Sequence, residues 1–408
     1  MYELNVSEFT EEAFLRDYWQ KKPVVIRQAF VDFQDPVSAD ELAGLAMEEQ
    51  IESRLISQDG NGKWQAKFGP FESFDELGDK NWSLVIQALD FWSETAAKLI
   101  EPFRFIPNWR LDDVMASFAT PGGSVGPHID LYDTFICQGT GSRHWRVGDN
   151  RERKQFAAHS ALLHVESFEP IIDVELNAGD ILYIPPGFPH EGISLDNSMS
   201  FSVGFRTTST ANIASGLADY LIDGELGTDL IEDPDRQVVE ESGAIDANDY
   251  QRIKSQLQQV IDNDALFRDF AGSYFTQSKH ELDLVPADPE YLAEDLTVMI
   301  EQADLKRLGG LRAFYFCETI EQGICYIDGT KVNFDPEIAP AVKILLNNVT
   351  CTAQMLAPWF ENDTFVAFIL QQANSGYWYF SDDEAFTEQD FDDEDFDDED
   401  FDGQDFAE

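Results

Sequence analysis

The sequence predicts a mixed α+β protein: an antiparallel barrel or jelly roll, then a helical region, then a smaller winged-helix-like module. Between about residues 110 and 206, short apolar segments alternate with Gly/Pro turns, which is typical of such barrels. After residue 206 the apolar residues recur at helical spacing, with a clear amphipathic stripe over 250–261. The stretch from about 290 to 373 then combines a predicted helix, a hairpin and two further helices.

The N-terminal part is predicted to contribute a helix and a buried strand. Thr10 is a suitable N-cap, and Glu11 and Glu12 favour the helix start that follows it. The apolar stripe of this helix is formed by Phe14, Leu15, Tyr18 and Trp19. Residues 23–27 (PVVIR) predict a short strand, and a helical stretch is expected near 84–99.

The barrel region is predicted to contain short strands bounded by turn residues. The predicted strands span 114–118, 132–137, 143–147, 171–176, 181–184 and 200–205. The turns between them are predicted at 120–124 (TPGGS), 139–141 (GTG), 177–180 (NAGD) and 185–187 (PPG).

The second half of the chain is predicted to be largely helical. Thr210 can cap a helix, a polar acidic loop follows at 223–247, and the 250–261 helix comes next. A linker is expected at 286–289. The last module has predicted helices at 290–303, 338–348 and 352–373 and strands at 311–317 and 324–327, with an Asp328-Gly329 turn typical of hairpins.

The charge of the chain excludes some classes of partner. There are 27 Lys+Arg against 78 Asp+Glu in 408 residues, a formal net charge of −51. Residues 381–408 hold 16 of the acids and no Lys or Arg, which leaves −35 on the first 380 residues. We therefore expect no direct binding to nucleic acid and none to anionic membranes, because both need clustered cations. A basic protein is the favoured partner.

The ends of the chain and its cysteines suggest where the protein works. The start, MYELNV, lacks the features of a secretory signal, and no apolar run approaches the ~20 residues of a membrane span. The four cysteines show no C-x-x-C spacing. We expect a cytoplasmic protein. Its last segment, 381–408, repeats FDDED and is predicted to be a disordered acidic tail.

The strongest chemical signal is the segment Gly126-Pro-His-Ile-Asp130. Side chains two residues apart on a strand share a face, so His128 and Asp130 should point the same way. Two histidines and one carboxylate bind non-haem Fe(II) as a facial triad. His190, which follows a strand and a Pro/Gly turn, is the candidate third ligand. The alternative is a surface His–Asp pair, and the barrel context with a third histidine favours the metal site.

Arg143 and Ser117 are candidates for holding a second ligand in the barrel. Arg143 opens the hairpin partner of strand 132–137, and a guanidinium inside a barrel needs an anion such as a dicarboxylate. Spacing alone does not separate this role from that of an arginine at the barrel rim. Ser117 is equally consistent with a hydroxyl donor to the same ligand and with a core serine. The other histidines are predicted to play no part in the metal site: His144, His159, His164 and His280.

Longer segments resemble the JmjC-type ribosomal oxygenases, and more narrowly the bacterial branch that hydroxylates an arginine of large-subunit ribosomal protein L16. The resemblance rests on 126–148 (GPHIDLYDTFICQGTGSRHWRVG) and 179–192 (GDILYIPPGFPHEG). The opening 14–27 (FLRDYWQKKPVVIR) is similar as well. Shorter matches lie at 267–284, 307–311 and 374–378, so the resemblance covers roughly residues 1–380.

The resemblance implies a domain organisation and a set of ligands. It implies a JmjC/cupin catalytic domain (double-stranded β-helix) at 1–208, a helical dimerisation region at 209–284 and a winged-helix-like domain at 285–380. Fe(II), 2-oxoglutarate and O2 are the implied cofactor and cosubstrates. The implied residues are His128, Asp130 and His190 for iron, with Arg143 and Ser117 for 2-oxoglutarate. The tail and His144 depart from the family pattern.

The sequence thus predicts a dioxygenase that hydroxylates an arginine of ribosomal protein L16 and forms a homodimer. Tyr132 and Asp133, just past the triad, are expected to flank the target side chain. Two alternatives stay open at this point. One is the same chemistry on a histidine of another ribosomal protein, and the other is a non-catalytic acidic adaptor that binds a basic ribosomal protein.

Overall fold

The computed structural model of the chain describes residues 2–4 and 10–380. The predicted acidic tail, 381–408, lies outside these residues. The chain forms two compact units. The first comprises Met1–Leu284 and Leu308–Ala339, and the second comprises Val285–Arg307 with the described residues 340–380. The domain bounds predicted above, at 208/209 and 284/285, stay predictions.

Short strands occur in both units and are numbered in chain order. They are β1 (Val24–Ile26), β2 (Ser53–Gln58), β3 (Trp64–Phe68), β4 (Trp82–Ile86), β5 (Leu111–Ala119), β6 (His128–Ile129), β7 (Asp133–Gln138), β8 (Ser142–Gly148), β9 (Gln155–His159), β10 (Leu162–Val165), β11 (Pro170–Asn177), β12 (Ile181–Ile184), β13 (Pro189–Ser194), β14 (Ser198–Phe205), β15 (Leu305–Arg307), β16 (Ala313–Phe314), β17 (Ile324–Ile327), β18 (Thr330–Asn333), β19 (Thr350–Cys351) and β20 (Trp378–Phe380).

The α-helices follow the same order. They are α1 (Glu11–Asp17), α2 (Ala39–Leu45), α3 (Leu89–Trp92), α4 (Glu94–Ala97), α5 (Thr210–Asp223), α6 (Ala247–Asp262), α7 (Asp264–Thr276), α8 (Ala293–Gln302), α9 (Ala339–Asn347), α10 (Ala353–Leu356) and α11 (Asp363–Asn374). Single 3-10 turns lie at Lys98–Phe103, Asn108–Arg110, Ile320–Gln322, Pro336–Ile338 and Ala357–Trp359. In the described part of the chain, no helix is both long and apolar enough to cross a bilayer.

Two antiparallel sheets confirm the predicted jelly roll. The larger has the order β1-β12-β7-β14-β5-β4-β2-β3, and the smaller has the order β11-β8-β13-β6. From β11 to β14, consecutive strands alternate between the two sheets, which is the connection pattern of a jelly roll. The hairpin of β9 and β10 forms a further small sheet.

The larger sheet is apolar on both faces, and this explains its buried strands. On β7, Phe135 packs into the main core with Phe14 of α1, whereas Ile136 points between the two sheets. On β12, Tyr183 and Leu182 divide in the same way. The apolar cluster between the sheets fills one part of the barrel. The remaining inner surface is free to carry polar side chains.

One predicted helix is a strand. Residues 84–86 belong to β4, which pairs with β2 on one side and β5 on the other. The segment WSLVI is rich in β-branched and aromatic residues and fits a buried central strand better than a helix. Helical structure begins only at Leu89, in α3 and α4.

The predicted helix 352–373 is also not continuous. It breaks into α10, a 3-10 turn that contains Pro358, and α11. Asn362 begins the last helix, because its side chain accepts hydrogen bonds from the main-chain N–H groups of Thr364 and Phe365. The Asp328-Gly329 turn does join β17 to β18, as predicted.

Candidate metal centre

His128 and His190 meet on neighbouring strands of the smaller sheet. They are direct partners in the register of β6 and β13, so both side chains leave the same face. Their ring centroids are 4.2 Å apart. Gly126, which precedes β6, has a φ of +83°, and this left-handed conformation turns the chain into the strand.

Asp130 completes a cluster with the two histidines. Its Oδ2 lies 3.5 Å from Nε2 of His190 and 3.8 Å from Nε2 of His128. One ligand atom from each residue lies within 4.8 Å of the others. The N–H of Gly187 donates to the Asp130 carbonyl oxygen at 2.8 Å, and this bond anchors the main chain after β6.

The other ring nitrogen of each histidine has a fixed partner. Nδ1 of His128 lies 2.9 Å from the Gly126 carbonyl oxygen, and Nδ1 of His190 lies 3.0 Å from the Phe188 carbonyl oxygen. A carbonyl oxygen can only accept, so each Nδ1 carries the proton that it donates. The lone pair of each Nε2 therefore points towards Asp130, as a metal ligand requires.

The charge state of His190 fits the same role. It is 2% exposed. Burial, together with the nearby His128, lowers the pKa of His190 to about 4, although the Asp130 carboxylate acts in the opposite direction. The imidazole is therefore neutral near pH 7. Two neutral imidazoles and one carboxylate on one side of a cavity fit the facial triad of non-haem Fe(II).

Arg143 lies inside the barrel with its guanidinium buried. On β8, Arg143, Trp145 and Val147 are buried, while the residues between them are partly exposed. Nε of Arg143 donates to Ser198 Oγ at 2.8 Å and Nη1 to Ser117 Oγ at 3.2 Å. Nη2 donates to the carbonyl oxygens of Ser117 and Ser198 at 2.7 and 3.0 Å. One N–H of Nη1 stays available, because a guanidinium has five donors.

The environment of Arg143 favours an anionic ligand. Within the described residues, no carboxylate lies within ion-pair distance of its guanidinium, and desolvation lowers the pKa of Arg143 to about 9. A buried cation surrounded by hydroxyl and carbonyl oxygens is costly until an anion joins it. Ser117 contacts the same guanidinium, so the structure brings together the two residues that the sequence suggested for a second ligand.

A cavity of about 270 Å³ lies beside the triad. Its walls include Asp112, Leu131, Tyr132, Arg206, Tyr274 and Lys279. Burial and the negative charge of Asp130 raise the pKa of Tyr132 well above its ordinary value, so the phenol stays protonated. Asp112 accepts from Lys279 at 2.6 Å and from Arg206 at 2.9 Å, which shows that its carboxylate attracts cations. An acidic pair opening a strand, Asp112-Asp113, was the available sequence signal for this wall.

Asp133 lies outside this cavity. It is 0% exposed, and Tyr183 donates to its Oδ1 at 2.6 Å. Gln20 and Arg110 donate to Oδ2 at 2.9 and 3.2 Å. These bonds occupy the carboxylate and favour a structural role at the start of β7, whereas Tyr132 lines the cavity.

The remaining histidines divide into surface and buried cases. His144 is exposed on the outer face of β8 and pairs with Asp173 at 2.6 Å. His159 accepts from Ala161 N–H within the β9–β10 hairpin, and His280 lies 3.6 Å from Glu52. His164 differs: it is 2% exposed and lies behind the loop that leads to His128. A histidine inside the apolar segment LLHV was its sequence signal.

Comparisons with protein families give the same architecture. A JmjC-domain model matches residues 98–213. A ROXA-like winged-helix model matches residues 258–379. These matches confirm the predicted fold class, a JmjC jelly roll with a C-terminal winged helix.

Individual relatives extend the match over most of the chain. The chain is 45% identical over 368 residues to the ribosomal protein uL16 3-hydroxylase of Escherichia coli, which covers 90% of this chain and 96% of that one. It is 34% identical to a probable ribosomal oxygenase of Haemophilus influenzae over 67% of this chain and 70% of that one. The E. coli ribosomal oxygenase YcfD, solved in complex with cobalt and 2-oxoglutarate, superposes with a TM-score of 0.84 and 43% identity, covering 94% of this chain and 100% of that chain.

Proposed function

This chain belongs to the JmjC-type bacterial ribosomal oxygenases, in the family of the uL16 3-hydroxylase, and we propose that it hydroxylates an arginine side chain of uL16 with Fe(II), 2-oxoglutarate and O2. The observation that carries the proposal is the convergence of His128, Asp130 and His190 inside a barrel that also buries Arg143. Its relative's structure holds cobalt and 2-oxoglutarate, and the donor set here suits the same pair of ligands.

The inner face of the smaller sheet separates two binding tasks. His190 pairs with Val147, and Ser194 pairs with Arg143, so the two functional side chains start four residues apart. That is about 13 Å along the strands. A long arginine side chain and a five-carbon diacid together can span this gap. Arg143, with Ser117 beside it, would hold the far carboxylate while the other end reaches the metal.

The protein residues bind and orient, and the bound iron supplies the oxidation. When bound, iron with 2-oxoglutarate and dioxygen oxidises a substrate C–H bond to C–OH and releases succinate and carbon dioxide. The triad leaves the opposite side of the metal site open for these ligands. The protonated Tyr132 phenol borders both Asp130 and the cavity, so it is positioned to orient the target side chain.

The cavity suits a cationic target. Asp112 on its wall already holds Lys279 and Arg206, and an arginine side chain from a basic protein would meet the same field. The net charge of −35 on the first 380 residues would speed the encounter with such a protein. Action on a ribosomal protein implies a cytoplasmic enzyme.

A second copy of this chain is the proposed partner of the helical region. On α6, the apolar residues Tyr250, Ile253, Leu257 and Ile261 share one face and are each about half exposed or more. An apolar stripe of this length on a soluble helix usually marks an interface. We assign it to a homodimer.

Mass spectrometry of the substrate tests the proposed reaction. The full chain is incubated with Fe(II), 2-oxoglutarate and fragments of uL16, and the expected product carries one added oxygen on an arginine. His128→Ala should abolish turnover and His144→Ala should retain it, because His144 lies on the outer face of the barrel. Tight binding of uL16 without turnover would favour the adaptor, and oxidation of a histidine-bearing fragment instead would favour the other substrate. Full activity of His128→Ala would contradict the triad.

A further inference from the structure

We propose that His164 is a positioning residue of the metal centre, which holds the loop 124–128 so that His128 is aimed at the metal. The inference rests on the metal site proposed above. His164 lies on β10, outside the sheet that carries the three ligands. It contacts neither a ligand atom of the triad nor the cavity, and its effect would pass through the main chain of the loop.

The imidazole of His164 is bonded to the loop directly. Its Nε2 lies 3.0 Å from the carbonyl oxygen of Val125. Since a carbonyl oxygen can only accept, Nε2 carries a proton and donates it. This bond fixes the peptide plane between Val125 and Gly126.

The next peptide plane carries the partner of the metal ligand. The Gly126 carbonyl oxygen accepts from Nδ1 of His128 at 2.9 Å. Two adjacent peptide planes therefore connect the buried His164 to the orientation of the His128 ring. Such partners set both the tautomer and the direction of a ligating histidine.

The loop also packs directly on the His164 ring. A Cβ added to Gly126 would lie 2.2 Å from Cε1 of His164, so the glycine allows a main-chain approach that other residues would block. Val165, the next residue of β10, donates its N–H to the Pro127 carbonyl oxygen at 2.9 Å. β10 thus contacts the loop at consecutive positions and acts as its support.

The ring of His164 is itself held in place. Trp64 of β3 meets it edge-on, with ring centroids 4.8 Å apart and an interplanar angle of 88°. Phe156 of β9 lies on it at 6.2 Å and 79°. A buried ring between two aromatic side chains can transmit a fixed geometry to the loop, whereas an exposed histidine could not.

A pair of nearly isosteric variants separates the hydrogen bond from the packing. His164→Gln keeps an N–H donor near the position of Nε2, and His164→Met fills similar space without one. Co(II) affinity of the full chain is measured by titration, together with the Co(II) absorption spectrum. We expect His164→Met to bind Co(II) about 10- to 100-fold more weakly with an altered spectrum, and His164→Gln to recover most of the affinity. His144→Met, on the outer face of β8, should match the unmodified chain.

The outcomes distinguish this inference from the proposed metal site. Failure of the unmodified chain to bind Co(II), or equal binding by His128→Ala, would refute the metal site itself. A folded His164→Met chain with the original affinity and spectrum would overturn the positioning role, as would a His164→Gln chain no better than His164→Met. If His164→Met does not fold, Phe156→Ala decides the question: it keeps the donor, loosens the ring and should weaken Co(II) binding. Unchanged affinity in that variant would overturn the inference.

Discussion

At the scale of single residues, Arg143 gives the sharpest prediction for the cosubstrate. Arg143→Lys keeps the charge but loses the planar fork that bonds Ser117 and Ser198 and presents a free N–H. We expect the KM for 2-oxoglutarate to rise about 30- to 100-fold, equivalent to the loss of roughly 2–3 kcal/mol from a charge-assisted contact. Steady-state kinetics over a range of 2-oxoglutarate concentrations measures this change.

Arg146→Lys is the matched control for Arg143. Arg146 lies on the same strand but faces outward, near Glu191 at 3.7 Å and over the Phe168 ring. Its KM for 2-oxoglutarate should stay within about twofold of the original, since rim ion pairs contribute little. Equal increases in both variants would mean that β8 is disturbed as a whole and that Arg143 has no specific role.

Asp90 predicts how stability depends on pH. It is 5% exposed, and burial with the neighbouring Asp113 raises the pKa of Asp90 to about 7, although Val114 N–H and Arg312 favour its charged form. The folded state thus prefers the protonated acid. Ionisation destabilises the fold increasingly as pH rises from about 4 to about 7, and no further above that. Asp90→Asn should therefore gain on the original chain over this window, by on the order of a few kcal/mol.

Denaturant unfolding of both chains between pH 4 and pH 8 checks the sign. The difference in unfolding free energy should be small near pH 4, grow up to pH 7 and then level off. Asp149→Asn is a control of opposite sign: its hydrogen bond from Arg153 lowers the pKa of Asp149, so removing the acid should cost slightly more at higher pH. A constant difference for Asp90→Asn across the range would rule out a raised pKa.

The residue types and spacing in the sequence were sufficient to suggest the three candidate ligands, but not their support. His-x-Asp on a strand and a later histidine can be recognised without knowing the fold. The histidine behind the loop cannot, because its role depends on which hairpin packs against residues 124–128. His164 was predicted to play no part for that reason. Asp133 shows the opposite case, since a position beside the triad does not reveal that four side chains bond its carboxylate.

At the scale of elements, the packing of α7 on β17 depends on one glycine. A Cβ on Gly272 would lie 2.4 Å from the ring of Tyr326, so Gly272→Ala must push the helix or the ring aside. We expect a loss of about 1–3 kcal/mol in unfolding free energy from this overpacking. Gly44→Ala in α2 should have the opposite sign, because a Cβ there meets no atom within 4 Å and alanine favours the helix by about 0.5–1 kcal/mol.

Thermal unfolding of the two alanine variants measures both effects under the same conditions. The comparison keeps the chemical change constant and varies only the space around it. Equal shifts for Gly272→Ala and Gly44→Ala would show that Tyr326 relaxes at no cost, and that α7 does not need the close approach.

The elements also show where sequence patterns are reliable. Strand 181–184 was predicted with its observed bounds, because four apolar residues lie between turn residues. β4 was predicted as a helix, since a segment buried on both faces has no alternation from which the period can be recognised. The break in 352–373 follows from Pro358 and the Asn362 cap, local signals that outweigh the apolar spacing across them.

At the scale of the whole molecule, the exposed stripe of α6 predicts the oligomeric state. Ile253→Asp combined with Leu257→Asp places two charges on the apolar face, and we expect the proposed dimer to dissociate into monomers. Light scattering after size-exclusion chromatography measures the mass. Gln251→Asp, an exposed change on the same helix outside the stripe, should leave the dimer intact. A double variant that keeps the dimer mass would place the interface elsewhere.

The division of charge along the chain makes the last prediction, which concerns capture of a basic substrate. Deleting 381–408 removes 16 acidic residues but leaves −35 on the remaining residues, so the attraction should weaken and not vanish. We expect kcat/KM for a basic uL16 fragment to fall a few-fold at low ionic strength, with kcat unchanged, because steering acts on the encounter and not on the chemistry.

The difference should disappear as salt shortens the reach of these charges to about 10 Å at 0.1 M and less above it. A full-length chain whose tail Asp and Glu are replaced by Asn and Gln should behave like the deletion. If the loss instead follows replacement of the tail phenylalanines with the acids intact, contact through those rings and not charge captures the substrate. Identical kcat/KM for the deleted and full-length chains at every ionic strength would remove the tail from substrate capture altogether, and would assign the encounter to the charge of the first 380 residues.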